Sequence, residues 1–368
     1  MITTCDVLTI DTGNFLTSVQ PIEKSEIITP INHRLSNWNN TIKYMVTPIA
    51  IALLPIFTLA IGINLLFNKI FYNKGVAEFI SKHIVLRSLK FDKKKLDILR
   101  QAIRKQINAK TTPNSKFIRI SSENNLELDG VTINSKENLN KPAQNQKWIV
   151  YFNGANGTYE RAFGDLLRIS FSTKANVLSA NYRGVGRSEG ICLGSKDILE
   201  DGKACIDFLL KKGVKKENIL IYGYSLGGGV GTAVATNYNG ICLVNDRSFS
   251  SITNATKAFF CIPIIREIAA FAVTLFWNLN SFENIQKITG KKYLIVAPQD
   301  FIIPFENSSL YYSLAKANIE IPPTYRVNYD INPKNGLLAR MKELTNTHLY
   351  SIYPGNLTEL IEGFITQE

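Results

Sequence analysis

The sequence predicts an α/β fold in which a mostly parallel β-sheet is covered by helices on both faces. From about residue 115 onward, short apolar runs alternate with amphipathic helical stretches, as in repeated β-α units. Most of these strand-like runs are apolar throughout, which is typical of strands buried on both faces. The chain has 368 residues, enough for one such domain and an appendage of roughly 100 residues.

The predicted elements begin with a hairpin and then alternate between strand and helix. A polar link, Glu123-Asn124-Asn125, separates the two arms of the hairpin. The domain is expected to run over residues 115–368. In chain order the predicted elements are the hairpin strands Lys116–Ser121 and Leu126–Ile133, strand Trp148–Phe152, a helix over 159–171, strand Val177–Asn181, helix Asp197–Lys212, strand Ile219–Tyr224, helix Gly227–Asn237, and strands Ile241–Val244, Tyr293–Ala297 and Thr324–Tyr329.

An insertion over residues 248–288 interrupts the alternation. It contains the apolar stretch Phe259–Leu279, and its place between two predicted strands indicates a cap over the functional site. A second membrane helix is the alternative, which Arg266 and Glu267 near the middle of the stretch make unfavourable.

Residues 1–110 are predicted to form an N-terminal extension with a hydrophobic segment. Met45–Phe67 contains 23 residues and no charge, whereas about 20 apolar residues span a bilayer. The alternatives are a buried helix and a hairpin that enters one leaflet. If the segment spans, the Lys and Arg residues on its C-terminal side place the main domain in the cytoplasm. The sequence therefore predicts a membrane-associated protein.

The segment 69–110 is strongly basic, with twelve Lys or Arg residues against three acidic ones, in a chain of net charge +12. Next to an apolar segment, this pattern favours contact with anionic lipid headgroups, and a solvated basic helix face remains the alternative. No nucleic-acid-binding motif accompanies it. The five cysteines form no CxxC pair and indicate neither a disulfide framework nor a metal site, which favours a reducing compartment.

The sharpest motif is Gly223-Tyr224-Ser225-Leu226-Gly227, which follows the apolar run ILIYGY. In a G-x-S-x-G motif the serine lies on a tight turn between strand and helix, and small residues on either side relieve the crowding. Its hydroxyl then projects above the sheet, and the N–H groups of the following helix face a developing oxyanion. Ser225 is therefore the candidate nucleophile. The alternative is a glycine-rich packing helix without catalytic activity.

Two further motifs precede this turn: Asn153-Gly154-Ala155-Asn156-Gly157 after one strand, and Asn181-Tyr182-Arg183-Gly184-Val185-Gly186-Arg187-Ser188 after another. Their order and spacing resemble the α/β-hydrolase superfamily, on the side of the ABHD-type depalmitoylases and the dienelactone-hydrolase-like enzymes. The chain also resembles the chlamydial CHLPS family of hydrolase-like proteins, which pair an N-terminal hydrophobic segment with such a domain. The resemblance implies that the N–H groups of Ala155 and Leu226 form the oxyanion hole. Asn153 and Asn181 depart from the His and Asp that are usual in the superfamily.

The acid and the base follow from order along the chain. Asp300, after the strand Tyr293–Ala297, lies in a stretch that resembles the superfamily's G-x-x-D-x-x-V/I-P motif, and Asp246 is its competitor. Of three histidines only His348 follows the serine and Asp300, which gives the order Ser, Asp, His.

The sequence thus predicts a serine hydrolase that cleaves carboxylic esters or thioesters through an acyl-enzyme, with lipid, small-molecule or acylated-protein substrates. No metal or organic cofactor is implied. A peptidase or amidase on the same triad and an inactive binding protein of the same fold remain alternatives, and the sequence leaves the oligomeric state open.

Overall fold

The central sheet contains eight strands within the residues that the computed structural model describes, which are 73–109, 114–327, 348 and 354–365. In chain order the strands are β1 (Ser115–Ser121), β2 (Glu127–Ile133), β3 (Trp148–Phe152), β4 (Asn176–Ala180), β5 (Ile219–Tyr224), β6 (Cys242–Asp246), β7 (Lys292–Val296) and β8 (Thr324–Arg326). Their spatial order is β1-β2-β4-β3-β5-β6-β7-β8. The β1–β2 and β2–β4 pairs are antiparallel, and all the other pairs are parallel.

Helices connect these strands and cover the sheet. They are α1 (Lys74–Ile80), α2 (Lys93–Asn108), α3 (Tyr159–Thr173), α4 (Ser195–Lys211), α5 (Leu226–Ala235), α6 (Ile252–Phe259), α7 (Pro263–Phe276), α8 (Ser281–Lys287), α9 (Phe305–Ser308), α10 (Leu310–Lys316), α11 (Pro354–Leu360) and α12 (Glu362–Ile365). The pattern of strands and helices confirms the predicted fold class, and β1 and β2 confirm the predicted hairpin.

Alternate side chains of each central strand enter two separate cores. In β3, Val150 and Phe152 pack into the cluster that contains α4, α5 and α7 residues, whereas Ile149 and Tyr151 pack into the cluster of α3, α11 and α12. Every residue of β3 is buried. This burial on both faces explains why the strand is a continuous apolar run, and it fixes the pairing register, since a shift by one residue would exchange the two faces.

The register brings the carboxyl ends of β3, β5 and β6 level with one another. Phe152 is paired with Gly223, and Tyr224 is paired with Asp246. In parallel sheets ligands bind beyond the carboxyl ends of the strands, so the turns that follow these three strands form the edge at which the site lies.

The segment 74–108 packs onto the sheet-bearing unit. Ile80 of α1 belongs to one core and Ile103 of α2 to the other. Arg100 forms a buried ion pair with Asp129 of β2, and Trp277, directly after α7, donates to Ser81 Oγ over 3.2 Å. The described part of the predicted extension therefore packs against the main domain and contributes residues to both of its cores.

The structure describes the predicted cap, but it does not describe the hydrophobic segment. Residues 248–288 contain α6, α7 and α8, which connect β6 with β7, and their role as a cap stays a prediction. Met45–Phe67 lies outside the described residues. Among the helices that are described, none is both long and apolar enough to cross a bilayer.

Candidate active site

Ser225 occupies a strained turn between β5 and α5, with φ +54° and ψ −118°. Its N–H donates to the Asp246 carbonyl over 2.9 Å, which ties the turn to the neighbouring strand. A Cβ at Gly223 would lie 2.2 Å from the Gly227 carbonyl oxygen, and one at Gly227 would lie 2.0 Å from that of Phe152. Only glycine fits at either position, which is the steric reason for the G-x-S-x-G spacing.

Ser225, His348 and Asp300 form a continuous chain of hydrogen bonds. The distance from Ser225 Oγ to His348 Nε2 is 2.9 Å, and that from His348 Nδ1 to Asp300 Oδ2 is 2.6 Å. All three residues are buried, with exposed fractions of 8%, 4% and 6%. An ionised carboxylate only accepts hydrogen bonds, so Nδ1 carries the proton and Nε2 is free to accept one from the serine.

Asp300 is held in place by its own loop. Its Oδ1 accepts the N–H groups of Ile302 and Ile303, at 2.8 and 2.9 Å, so that Oδ2 faces the histidine. The competing carboxylate, Asp246, instead accepts the hydroxyl of Tyr222 over 2.6 Å and pairs with Arg247 over 2.7 Å. The structure thus brings Asp300, the acid that the sequence favours over Asp246, to His348.

The loop after β3 approaches the serine closely enough to supply an oxyanion donor. A Cβ at Gly154 would lie only 3.2 Å from Ser225 Cβ, and Ala155 is the next residue. Leu226 begins α5 directly after the serine. Within the part of the chain that the structure describes, the N–H groups of Ala155 and Leu226 have no hydrogen-bond acceptor, as two donors reserved for a ligand would require.

The N-terminal segment holds this loop from the outside. The N–H of Ser88 donates to the Ala155 carbonyl over 2.9 Å, and fixing the carbonyl orients the adjoining peptide groups. Ser88 lies in a 3-10 turn (Arg87–Lys90) between α1 and α2 and is buried. Sequence reasoning missed this contact, because nothing in a basic amphipathic stretch marks one residue as the partner of a distant loop.

The two asparagines that depart from the superfamily pattern have structural partners. Asn153 donates to Ser179 Oγ over 3.2 Å. Asn181 accepts the N–H of Tyr159 and donates to the Glu160 carboxylate, at 3.0 and 2.9 Å. An aspartate at position 181 would place a second carboxylate against Glu160, so the amide suits this neighbour.

Tyr224 is a second residue that sequence reasoning missed. Its hydroxyl donates to the His348 carbonyl, and its ring lies 5.4 Å from the imidazole. Burial raises the pKa of Tyr224 above its ordinary value, so the hydroxyl stays protonated and remains a donor. The position of Tyr224 directly before the serine was the signal in the sequence that could have identified it. In the described ranges no cluster of three or more His, Cys, Asp or Glu residues is arranged to hold a metal ion.

The fold and this arrangement define a member of the α/β-hydrolase superfamily. Its sheet resembles that of an α/β hydrolase from Vibrio vulnificus, with a TM-score of 0.54 at 18% identity, over 78% of this chain and 91% of that one. This likeness concerns the fold alone. The model of the Chlamydia CHLPS protein family (DUF818) matches residues 38–301, and the chain belongs to that family. The matched region includes Ser225 and Asp300.

Two curated relatives share part of the domain. Protein bem46 of Schizosaccharomyces pombe is 27% identical over 190 residues, which cover 48% of this chain and 62% of that protein. The α/β hydrolase domain-containing protein WAV2 of Arabidopsis thaliana is 26% identical over 158 residues, or 39% and 50% of the two chains. The chain thus spans between half and two thirds of the length of these relatives.

Proposed function

We propose that this protein is a serine hydrolase that cleaves carboxylic esters or thioesters. The observation that carries the proposal is the hydrogen-bonded chain from Ser225 through His348 to Asp300, at 2.9 and 2.6 Å. A serine hydroxyl is a weak nucleophile until an adjacent base takes its proton, and this geometry supplies that base. The strained elbow supports the same reading, because strain of this kind persists where function requires it.

In the proposed reaction Ser225 Oγ attacks the acyl carbonyl carbon while His348 Nε2 takes the hydroxyl proton. The N–H groups of Ala155 and Leu226 stabilise the oxyanion of the tetrahedral intermediate. As the intermediate collapses, His348 returns the proton to the leaving alkoxide or thiolate, and the acyl group remains on the serine. His348 then deprotonates a water molecule, which releases the acid and regenerates the hydroxyl. Asp300 stabilises the imidazolium throughout.

We place this reaction at a membrane, with the catalytic domain on the cytoplasmic side and a lipid or acylated protein as the substrate. The support comes from the sequence, in the uncharged stretch Met45–Phe67 and the basic segment 69–110. Salt extraction of membranes tests this location. The full chain is expected to stay with the membrane at high salt, because salt screens charge but does not weaken the burial of apolar residues.

Labelling with a fluorophosphonate probe tests the chemistry directly. The native chain is expected to react, and the variants Ser225→Ala and His348→Gln are expected to remain unlabelled while keeping the native melting temperature. Matched p-nitrophenyl esters, acyl thioesters and peptide anilides then separate the substrate classes, and preference for the anilide would favour the peptidase alternative. A folded native chain that the probe does not label would favour the inactive binding protein.

A further inference from the structure

The cap carries a concentrated apolar surface that the domain leaves uncovered. Six large side chains between α6 and the middle of α7 are 46% to 73% exposed: Phe259, Ile262, Ile264, Ile265, Ile268 and Phe271. We call these six residues the apolar cap surface. Single exposed apolar residues are ordinary on protein surfaces, whereas a cluster of this density marks a binding surface.

Helix α7 is apolar on both of its sides. Its inner side, with Ala270 and Val273, is buried against the domain. Its outer side presents Ile264, Ile268 and Phe271, at the i, i+4 and i+7 spacing of one helix face. An apolar face of a helix is normally covered, yet the domain covers only the inner side of α7.

Cations outnumber acids around the apolar cap surface. The guanidinium of Arg87 lies 4.7 Å above the ring of Phe259. Lys257 and Arg266 both pair with Glu267, at 2.7 and 3.3 Å, so these two cations share one carboxylate and Arg87 adds a third positive charge. An apolar face with a cationic rim matches the surface of an anionic bilayer, where headgroup phosphates lie directly above acyl chains.

The chain connectivity points to the same partner. Helix α1 packs against α7, and it begins only seven residues after the apolar stretch 45–67. Seven residues reach at most about 25 Å. If that stretch enters a bilayer, the first residue of α1 lies within about 25 Å of the end of the stretch.

We propose that the apolar cap surface inserts shallowly into an anionic bilayer, as a second membrane contact separate from residues 45–67. The cap leaves the sheet at the carboxyl end of β6, next to the β5 turn that carries Ser225. A bilayer at the cap therefore lies at the edge of the sheet that holds the site, and an acyl substrate reaches the serine from the lipid side. The contact itself does not depend on turnover.

The native thiol Cys261 provides a probe within the apolar cap surface. It lies between Phe259 and Ile262 and is exposed, whereas Cys192, Cys205 and Cys242 are buried. In the full chain carrying Cys5→Ser, Cys261 is labelled with bimane and the protein is reconstituted into phosphatidylcholine vesicles that contain phosphatidylglycerol. A doxyl group near the headgroup end of the lipid acyl chain is expected to reduce the bimane emission about twofold or more, as shallow burial at the interface requires.

The control probe is placed on the opposite face of the sheet. Phe171 is 85% exposed on α3, and α3 packs into the other core. Bimane at Phe171→Cys, in a chain with Cys5→Ser and Cys261→Ser, is expected to keep its full emission. In the variant Ile264→Asp/Ile268→Asp the quenching at Cys261 is expected to disappear, with the melting temperature unchanged because both side chains are exposed.

Three results would overturn the proposal. The first is equal emission of the Cys261 probe with and without the doxyl lipid. The second is oxidative cross-linking between the Cys261 residues of two copies, which would show that the surface is covered by a second chain. The third is cross-linking from Cys261 to the variant Leu59→Cys within residues 45–67, which would show that the chain covers its own surface. None of these readouts requires activity, so they are distinguishable from a failure of the proposed hydrolase function.

Discussion

Replacing Asp300 with asparagine tests the site most sharply, because the structure predicts how the new side chain must be oriented. The two N–H groups of Ile302 and Ile303 donate to Asp300 Oδ1, and in Asp300→Asn only the amide oxygen can accept them. The NH₂ group then faces His348 Nδ1, which is forced to become an acceptor. The neutral ring carries its proton on Nε2 instead, and it cannot take a proton from Ser225.

The size of the effect follows from the loss of the productive tautomer and of the imidazolium counter-charge. For a buried pair at 2.6 Å, we expect kcat/KM to fall by roughly 10³ to 10⁴, or about 4 to 5.5 kcal/mol of transition-state stabilisation. The fold should be retained, since the amide keeps both hydrogen bonds to the loop. Hydrolysis of short p-nitrophenyl esters measures the rate, and circular dichroism measures the melting temperature.

Asp246→Asn is the matched control, because this carboxylate lies at the carboxyl end of β6 but contacts Tyr222 and Arg247 and not His348. The substitution removes the carboxylate that pairs with the buried guanidinium of Arg247, and breaking this buried pair is expected to cost about 3 to 5 kcal/mol of folding free energy. The melting temperature should therefore fall, while kcat/KM of the folded fraction stays within about tenfold of the native value. The opposite pattern, with Asp300→Asn active and the folded Asp246→Asn inactive, would refute the assignment of Asp300.

Other perturbations have equally defined outcomes. Ser225→Ala should lower the turnover of p-nitrophenyl esters at least about 10³-fold with an unchanged circular dichroism spectrum, and native turnover would exclude Ser225 as the nucleophile. Gly227→Ala should prevent folding, as read by the soluble yield, because the new Cβ would lie 2.0 Å from the Phe152 carbonyl oxygen. Gly164→Ala is its control: apart from the adjoining backbone of its own helix, nothing lies within 4 Å of that Cβ, and a mid-helix alanine should add about 0.5 to 1 kcal/mol of stability in chemical denaturation. A chain that begins at residue 73 should keep the native melting temperature. One that begins at residue 111 should melt at a lower temperature, because it leaves the buried Asp129 without Arg100. Equal melting temperatures of the two chains would show that the segment 74–108 does not stabilise the domain.

Local sequence patterns were sufficient to predict the strands, the helices and the candidate nucleophile. A strand buried on both faces must be apolar throughout, as β3 is, so the strand and helix alternation could be read directly from the sequence. Ser225 could be identified because the steric demands of its turn fall on residues two positions away, Gly223 and Gly227. These constraints act within a few residues, and the sequence therefore records them as a motif.

Contacts between distant segments were decided only by the tertiary structure. Asp246 ends β6 and Asp300 follows β7 of the same sheet, and the sequence favoured Asp300 only through its resemblance to the superfamily motif. The assignment of the catalytic acid depends on which carboxylate contacts His348 and which instead contacts Tyr222 and Arg247. The hydrogen bond from Ser88 to the Ala155 loop is of the same kind. A hydrogen bond between residues far apart in the chain requires no local periodicity or spacing, so the partners of Asp246 and the contact of Ser88 left no pattern in the sequence.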